Sequence, residues 1–365
     1  MVALLATSGC EGPTGRTNLA RTQPPDPGEM TLKLAEPKNG RSRPLVVVLA
    51  ENTGTETTDF IVPYGVLKES KVADVVTVSS DPGTVTLIPA LRVRADMTLA
   101  QFDAETPAGA DIVIVPAMKR NDSPDVLNWV RAQSEKGAAF VSICEGAWVV
   151  ANAGLLEGKS ATTHWFALES IAKQFPGTTW VRNSRWVVSR NVMTTTGVSA
   201  SIPASLALVA SIAGRPAAER TAKGLGVNSW TIEHNTSEFS WTAKHVTVAV
   251  TNWLAWWRHE TVEMPIEGGF DEISLAIAAD TWSRTFRSQA SATGASGILL
   301  SRRGLHIETE VASSHPHFTL PKSTSAKALA GIEALDDVAN RYGDATADLV
   351  ALGLEQWRSK SQHWD

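Results

Sequence analysis

The chain has 365 residues, 43% of them apolar and 19% charged, with a formal net charge of −5. This is an ordinary globular balance, long enough for one large α/β domain with a further segment or for two domains. No basic block stands out, which argues against a nucleic-acid-binding face, and no apolar run reaches the roughly 18–20 residues that a membrane helix needs.

Met1 to Cys10 reads like the tail of a lipoprotein signal, with Cys10 as the lipidated residue. Its apolar part is short, it lacks a leading positive charge, and Thr7 stands where a larger aliphatic residue is preferred. Two readings stay open. Either the true start lies upstream and the protein belongs to the cell envelope, or residues 1–43 are a disordered tail and the protein is cytoplasmic. The polar Pro/Gly/Arg-rich stretch up to Pro44 reads as a tether in both.

Regular patterning begins at Leu45. The run Leu45–Ala50 is continuously apolar, the signature of a strand buried on both faces. A loop over 51–57 leads to a helix over 58–70. Residues 74–79 read as a second strand, 85–95 as hairpin material and 111–115 as another buried strand. Ser123-Pro124-Asp125 is an N-cap, N1 proline and acidic first turn, which predicts a helix over 124–136 with Gly137 as its stop. Residues 138–143 are the next strand, and small residues over 145–153 follow as a helix. A helix over 165–175, short strands over 178–181, 185–189 and 192–196, and a long apolar helix over 199–213 complete this part. Alternating strands and helices predict a parallel sheet covered on both faces, with its ligand crevice at the carboxyl ends of the strands.

Past residue 220 the pattern weakens. Trp253, Trp256 and Trp257 cluster in a helical stretch and read as core or docking surface. Residues 268–311 repeat the layout of 55–97, so 216–365 is either a plain α+β extension or a degenerate partial repeat of the first domain. No second cysteine accompanies it, so it is not expected to form a second active site.

Three residues carry the candidate chemistry. Cys144 stands where an apolar strand runs into a small-residue helix, the geometry of a nucleophile elbow. A helix start favours a thiolate there. The plain alternative is a small buried hydrophobe. His164, in Ala161-Thr162-Thr163-His164-Trp165, is placed to orient or protonate a group at the sulfur, or is simply a histidine satisfied by backbone. Asp59 opens the helix after the first strand and is either a general acid or base or an ordinary helix-start aspartate. His315 and His317 lack the companions of a metal site, and no glycine-rich phosphate loop occurs. The two cysteines, Cys10 and Cys144, are not expected to pair, since a bridge would tie the turn to the N-terminal tail.

Together these residues resemble the ThiJ/PfpI superfamily over about residues 44–215. Cys144-Glu145-Gly146-Ala147 with Ala153-Gly154-Leu155-Leu156-Glu157-Gly158 is similar to its cysteine elbow and following helix. Ala161 to Trp165 is similar to a tract of the isocyanide hydratase branch and of sensor domains in AraC-type regulators. Asp59 stands four residues before Pro63, as the family's acidic residue does. The resemblance implies a class I glutamine-amidotransferase-like, flavodoxin-like three-layer α/β sandwich with a mostly parallel central sheet. It implies a nucleophilic Cys144, Asp59 holding the sulfur and moving a proton, His164 orienting, and backbone N–H groups of Ala117 and Glu145 as an oxyanion pocket. No cofactor or metal is implied, the ligand is a small molecule, and a homodimer is the default.

Departures narrow this reading. PfpI-type peptidases carry histidine where Glu145 stands. The usual Pro-Gly-Gly turn is Pro116-Ala117-Met118, which narrows the pocket. The distal His-x-Glu pair of glutamine amidotransferases is not recognisable, and no pair of basic helix-turn-helix units follows residue 215. The expected function is a cysteine-dependent hydratase, hydrolase or lyase acting on a small electrophile. The alternative is a non-enzymatic small-molecule or redox sensor.

Overall fold

Leu45–Ala50 (β1) runs through the middle of a seven-stranded sheet and is buried along almost its whole length. The computed structural model describes residues 31–295, 297–314, 318–320, 330–356 and 358, so Cys10, His315 and His317 lie outside the described residues. After β1, Thr55–Glu56 (β2) leads into Thr57–Ser70 (α1), Asp74–Ser79 (β3), the pair Thr84–Ile88 (β4) and Arg92–Arg94 (β5), Met97–Thr98 (β6), Leu99–Glu105 (α2) and Ile112–Val115 (β7). Then come Pro124–Glu135 (α3), Ala139–Ser142 (β8), Ala147–Asn152 (α4), Ser160–Ala161 (β9), Leu168–Gln174 (α5), Thr179–Trp180 (β10), Trp186–Ser189 (β11), Val192–Thr195 (β12), Ser201–Ala213 (α6) and Arg215–Gly224 (α7).

The sheet order is β11-β12-β8-β7-β1-β3-β6. The neighbours are parallel except for the edge pair β11–β12, which is antiparallel. Alternation along β1 builds two cores. Val46 and Val48 join Phe60, Ile61 and Leu206 of α1 and α6 on one face. Val47 and Leu49 join Phe102, Trp129 and Phe140 on the other. Each fully buried side chain of this size contributes about 1.5–3 kcal/mol. The result is a three-layer α/β sandwich whose strand ends present the Cys144 turn, as the alternation of elements predicts.

The rest of the chain packs against this sandwich. Ala243–Leu254 (α8) precedes Glu260–Pro265 (β13), Glu272–Ser283 (α9), Ser288–Thr293 (β14), Gly297–Leu300 (β15), His306–Thr309 (β16), Phe318–Thr319 (β17), Ala330–Tyr342 (α10) and Asp344–Leu354 (α11). β14-β13-β17 is a parallel three-stranded sheet. A five-stranded sheet, β15-β16-β5-β4-β2, carries strands from both parts of the chain. The helix α8 buries none of its residues, and Trp256 and Trp257 are 73% and 68% exposed, so the tryptophan cluster is surface and not core. Among the described residues no helix is long and apolar enough to cross a membrane.

Candidate active site

Cys144 sits just past β8 in the left-handed region, φ 54°, where a side chain with a Cβ is strained. Two threonines hold it there. Its N–H donates to Thr195 Oγ1 at 3.2 Å, and its carbonyl accepts from Thr163 Oγ1 at 2.9 Å. Gly146 makes the turn possible by close approach. A Cβ at that position would fall 2.1 Å from the Val115 carbonyl oxygen and 2.9 Å from that of Pro116. The cysteine turn is therefore pressed against the end of β7 and the 116–118 turn.

Asp59 meets the same turn from the other side. Its Oδ2 accepts the Ala117 N–H at 3.1 Å, while Oδ1 is buried without a partner. Its own N–H donates to Glu56 Oε2 at 2.6 Å, which makes Glu56 the N-cap of α1. Burial lifts the Asp59 carboxyl to about 7, against the lowering pull of the Ala117 N–H, Glu56 and Arg284. Glu56 is also pushed well above the ordinary carboxylate range, by burial first and then by Asp59 and Asp280. Near neutral pH the pair holds protons that exposed carboxyls would have lost.

The same forces act on the sulfur. Burial first, then the charges of Asp59, Glu145 and Glu56, hold the Cys144 thiol well above its ordinary range, with Arg284 pulling the other way. The helix-start argument favours a thiolate here. The helix that follows has only six residues, and burial among acids outweighs its field. Ionisation of this thiol therefore needs a partner to take its proton.

The remaining expected residues surround this centre. Glu145 is half-exposed, and its Oε1 lies 3.9 Å from His164 Nδ1, too far for a hydrogen bond. His164 is buried; its Nδ1 accepts the Phe166 N–H at 3.4 Å and its Nε2 has no partner. The Ala117 N–H, expected to face a developing charge, is engaged by Asp59 in this state. Among the described residues no group of three or more His, Cys, Asp or Glu is arranged to hold a metal.

Several residues near the site went unread in the sequence. Glu56 has a faint signal, three residues before Asp59 at a helix start. Thr163 and Thr195 act through hydroxyls on the Cys144 backbone, and nothing in their spacing announces it. Arg284 lies at the end of α9, far outside the resemblance, and binds Glu56 Oε1 at 2.8 Å and Asp280 Oδ1 at 2.6 Å. Glu355, just after α11 at φ 54°, binds buried His234 at 2.7 Å and accepts the Gly197 N–H at 2.5 Å. A Cβ on Gly197 would fall 2.5 Å from His164 Cδ2, so the end of α11 is brought beside His164.

Residues 45–211 match the family model described as the DJ-1/PfpI family. The HTH-type transcriptional regulator GbdR of Pseudomonas aeruginosa is 29% identical over 108 residues, 29% of this chain and 29% of the regulator. The isonitrile hydratase of Pseudomonas putida is 29% identical over 160 residues, 43% of this chain and 67% of the hydratase. The crystal structure of Drosophila melanogaster DJ-1beta superposes with a TM-score of 0.46 at 24% identity, covering 51% of this chain and all of that one. The match thus spans less than a third of the length of the GbdR regulator.

Proposed function

Residues 45–211 are a DJ-1/PfpI family domain, and from that premise we propose that the chain is a cysteine-dependent enzyme acting on a small electrophilic carbon, with hydration of an isocyanide as its reaction. The observation that carries this is the buried, unpartnered Oδ1 of Asp59, on a carboxyl that titrates near 7 within electrostatic reach of the strained Cys144. A group that titrates near the working pH can both take and return a proton.

In this reading the Cys144 sulfur adds to the terminal isocyanide carbon, and its proton passes by way of Asp59 to that carbon, leaving a thioimidate. Water then adds to the same carbon, the C–S bond breaks, and the sulfur recovers its proton as the N-substituted formamide leaves. Substrate and water together account for every atom of the product. The N–H groups of Ala117 and Glu145 steady the developing charge, that of Ala117 after release from Asp59. His164 orients the substrate. The reaction calls for no metal or organic cofactor.

Turnover tests the proposal. Purified protein incubated with an alkyl isocyanide should yield the formamide by mass spectrometry, and Cys144→Ala and Asp59→Asn should each slow the reaction by about 10²-fold or more. Absence of turnover on isocyanides, glyoxal and small amides alike would refute it. A second reading, a non-enzymatic small-molecule or redox sensor, is supported by the likeness to the GbdR regulator, although burial and a raised Cys144 thiol work against ready oxidation. Selective oxidation of Cys144 by mild peroxide, seen as an intact-mass increase without turnover of any of these substrates, would favour that reading.

A further inference from the structure

The C-terminal elements follow the first ones at a nearly constant distance along the chain. β13 and α9 each begin 215 residues after β1 and α1 (Glu260 and Leu45, Glu272 and Thr57). β14, β15 and β16 begin 213–214 residues after β3, β4 and β5. Pairings match too: β13 lies parallel to β14 and β17, as β1 lies parallel to β3 and β7. Even the cap recurs, with Asp271 accepting the Ser274 N–H as Glu56 accepts that of Asp59.

The contacts between the two sets are reciprocal. β5 and β16 pair antiparallel with Val93 opposite Ile307, its own counterpart, at the centre. Thr58 donates to Asp280 at 3.2 Å. The reciprocal contact, Gly65 with the counterpart of Thr58, is present: a Cβ on Gly65 would fall 2.6 Å from Ile273 Cγ1. Glu56 meets Arg284, while Glu69 reaches Asp271 through a shared Arg303. Each pair is one contact and its two-fold image, the property of an isologous interface.

We propose that the C-terminal segment is a degenerate second copy of the first unit, folded back about a pseudo-two-fold axis through Val93 and Ile307 into the place of a partner subunit, and that its Arg284 and Asp280 are positioning residues that complete the Cys144 site. Arg284 bridges Asp280 and Glu56; Glu56 in turn holds the Asp59 N–H, and Asp59 holds the Ala117 turn against which the Cys144 loop rests. The titratable groups that act most on the sulfur are Asp59, Glu145, Glu56 and Arg284. Arg284 is the cation among them, and it comes from the second copy. The α1 and β5 surfaces are already covered within one chain, so any homodimer must use another face.

The test reads thiol reactivity and not turnover, so it stands apart from the hydratase reading. In a Cys10→Ser background, which leaves Cys144 as the sole cysteine, the pH profile of iodoacetamide labelling is followed by intact mass. Arg284→Gln should move the profile toward higher pH, with labelling about tenfold slower at fixed pH for each unit moved. Arg284→Lys should recover part of the rate, because it restores the charge without the two-pronged hydrogen bonding. Asp280→Asn, which keeps Arg284, should move the profile less. An unmoved profile in a folded Arg284→Gln protein, or faster labelling at every pH, overturns the positioning role. If Arg284→Gln does not fold, the Lys and Asn variants decide on the same criterion. Separately, Val93→Arg should lower thermal stability without altering the sedimentation coefficient. Conversion of a dimer to monomers by that substitution would overturn the intrachain axis.

Discussion

Asp59→Asn should reverse the sign of its effect on stability between acid and alkaline pH. Its side chain is fully buried, and burial raises the carboxyl from 3.8 to about 7. Below pH 3.8 folded and unfolded chains both hold the proton, and Asp59 costs nothing through ionisation. As the pH rises toward 7, the unfolded chain releases a proton that the folded chain keeps, and stability falls. Above 7 the loss stays constant at about 4 kcal/mol, at about 1.4 kcal/mol for each unit of the rise. Asparagine never ionises and escapes this loss. Its carbonyl can still accept the Ala117 N–H, but its amide group then lies where Oδ1 has no partner. Leaving that group unsatisfied costs about 1–3 kcal/mol at every pH. Wild type should therefore be the more stable protein near pH 3.5, where its ionisation loss is still small, and the variant the more stable near pH 8.5. Urea denaturation followed by tryptophan fluorescence at several pH values measures both. A difference that does not vary with pH would refute the assignment of Asp59 as the raised carboxyl.

Two other substitutions probe how the turn is held. Gly146→Ala places a methyl group 2.1 Å from the Val115 carbonyl oxygen, so backbone must move, and equilibrium denaturation should show a loss of about 3 kcal/mol or more. A variant as stable as wild type would show that this approach is not tight in solution. Glu355→Ala removes the partner of His234 and of the Gly197 N–H, both buried, and should cost about 3–5 kcal/mol, with Glu355→Gln milder. An unchanged denaturation midpoint for Glu355→Ala would show that the end of α11 does not brace the site.

The sheet was readable because burial on both faces leaves a residue pattern. The apolar runs of β1, β7 and β8 have no polar alternation, and only strands with helices on both sides can afford that. The Cys144 turn was readable for a related reason, since a strand ending in a cysteine followed by small residues has few conformations. The helix expected over 165–175 starts later in the structure, at Leu168. His164 to Ala167 forms a tight turn instead, closed by the Ala167 N–H on the His164 carbonyl. What local pattern cannot carry is who meets whom across the chain. Nothing about Arg284 in sequence says that it faces Glu56, 228 residues away. The raised Cys144 thiol was equally hidden, because it depends on burial and on three carboxyls from two separate segments, Glu56 and Asp59 in one and Glu145 in the other.

The two-fold reading also accounts for which parts of the second copy are present. β13, α9, β14 and the β15–β16 hairpin answer to β1, α1, β3 and the β4–β5 hairpin, and α9 and β16 are the elements that touch their images in the first unit. Among the described residues nothing answers to the Cys144 turn, and at the position of Asp59 stands Ser274. A serine hydroxyl keeps its proton throughout the neutral range and cannot take and return one as a carboxyl raised to about 7 can. The second copy thus lacks the groups a site of its own would need and retains those that face the first copy's α1. Arg284 is 25% exposed along its side chain and paired with two buried acids, and substitution by an apolar residue would leave Glu56 and Asp280 facing each other without a cation. Retention of that arginine in a half that carries no cysteine follows from the needs of the other half's site.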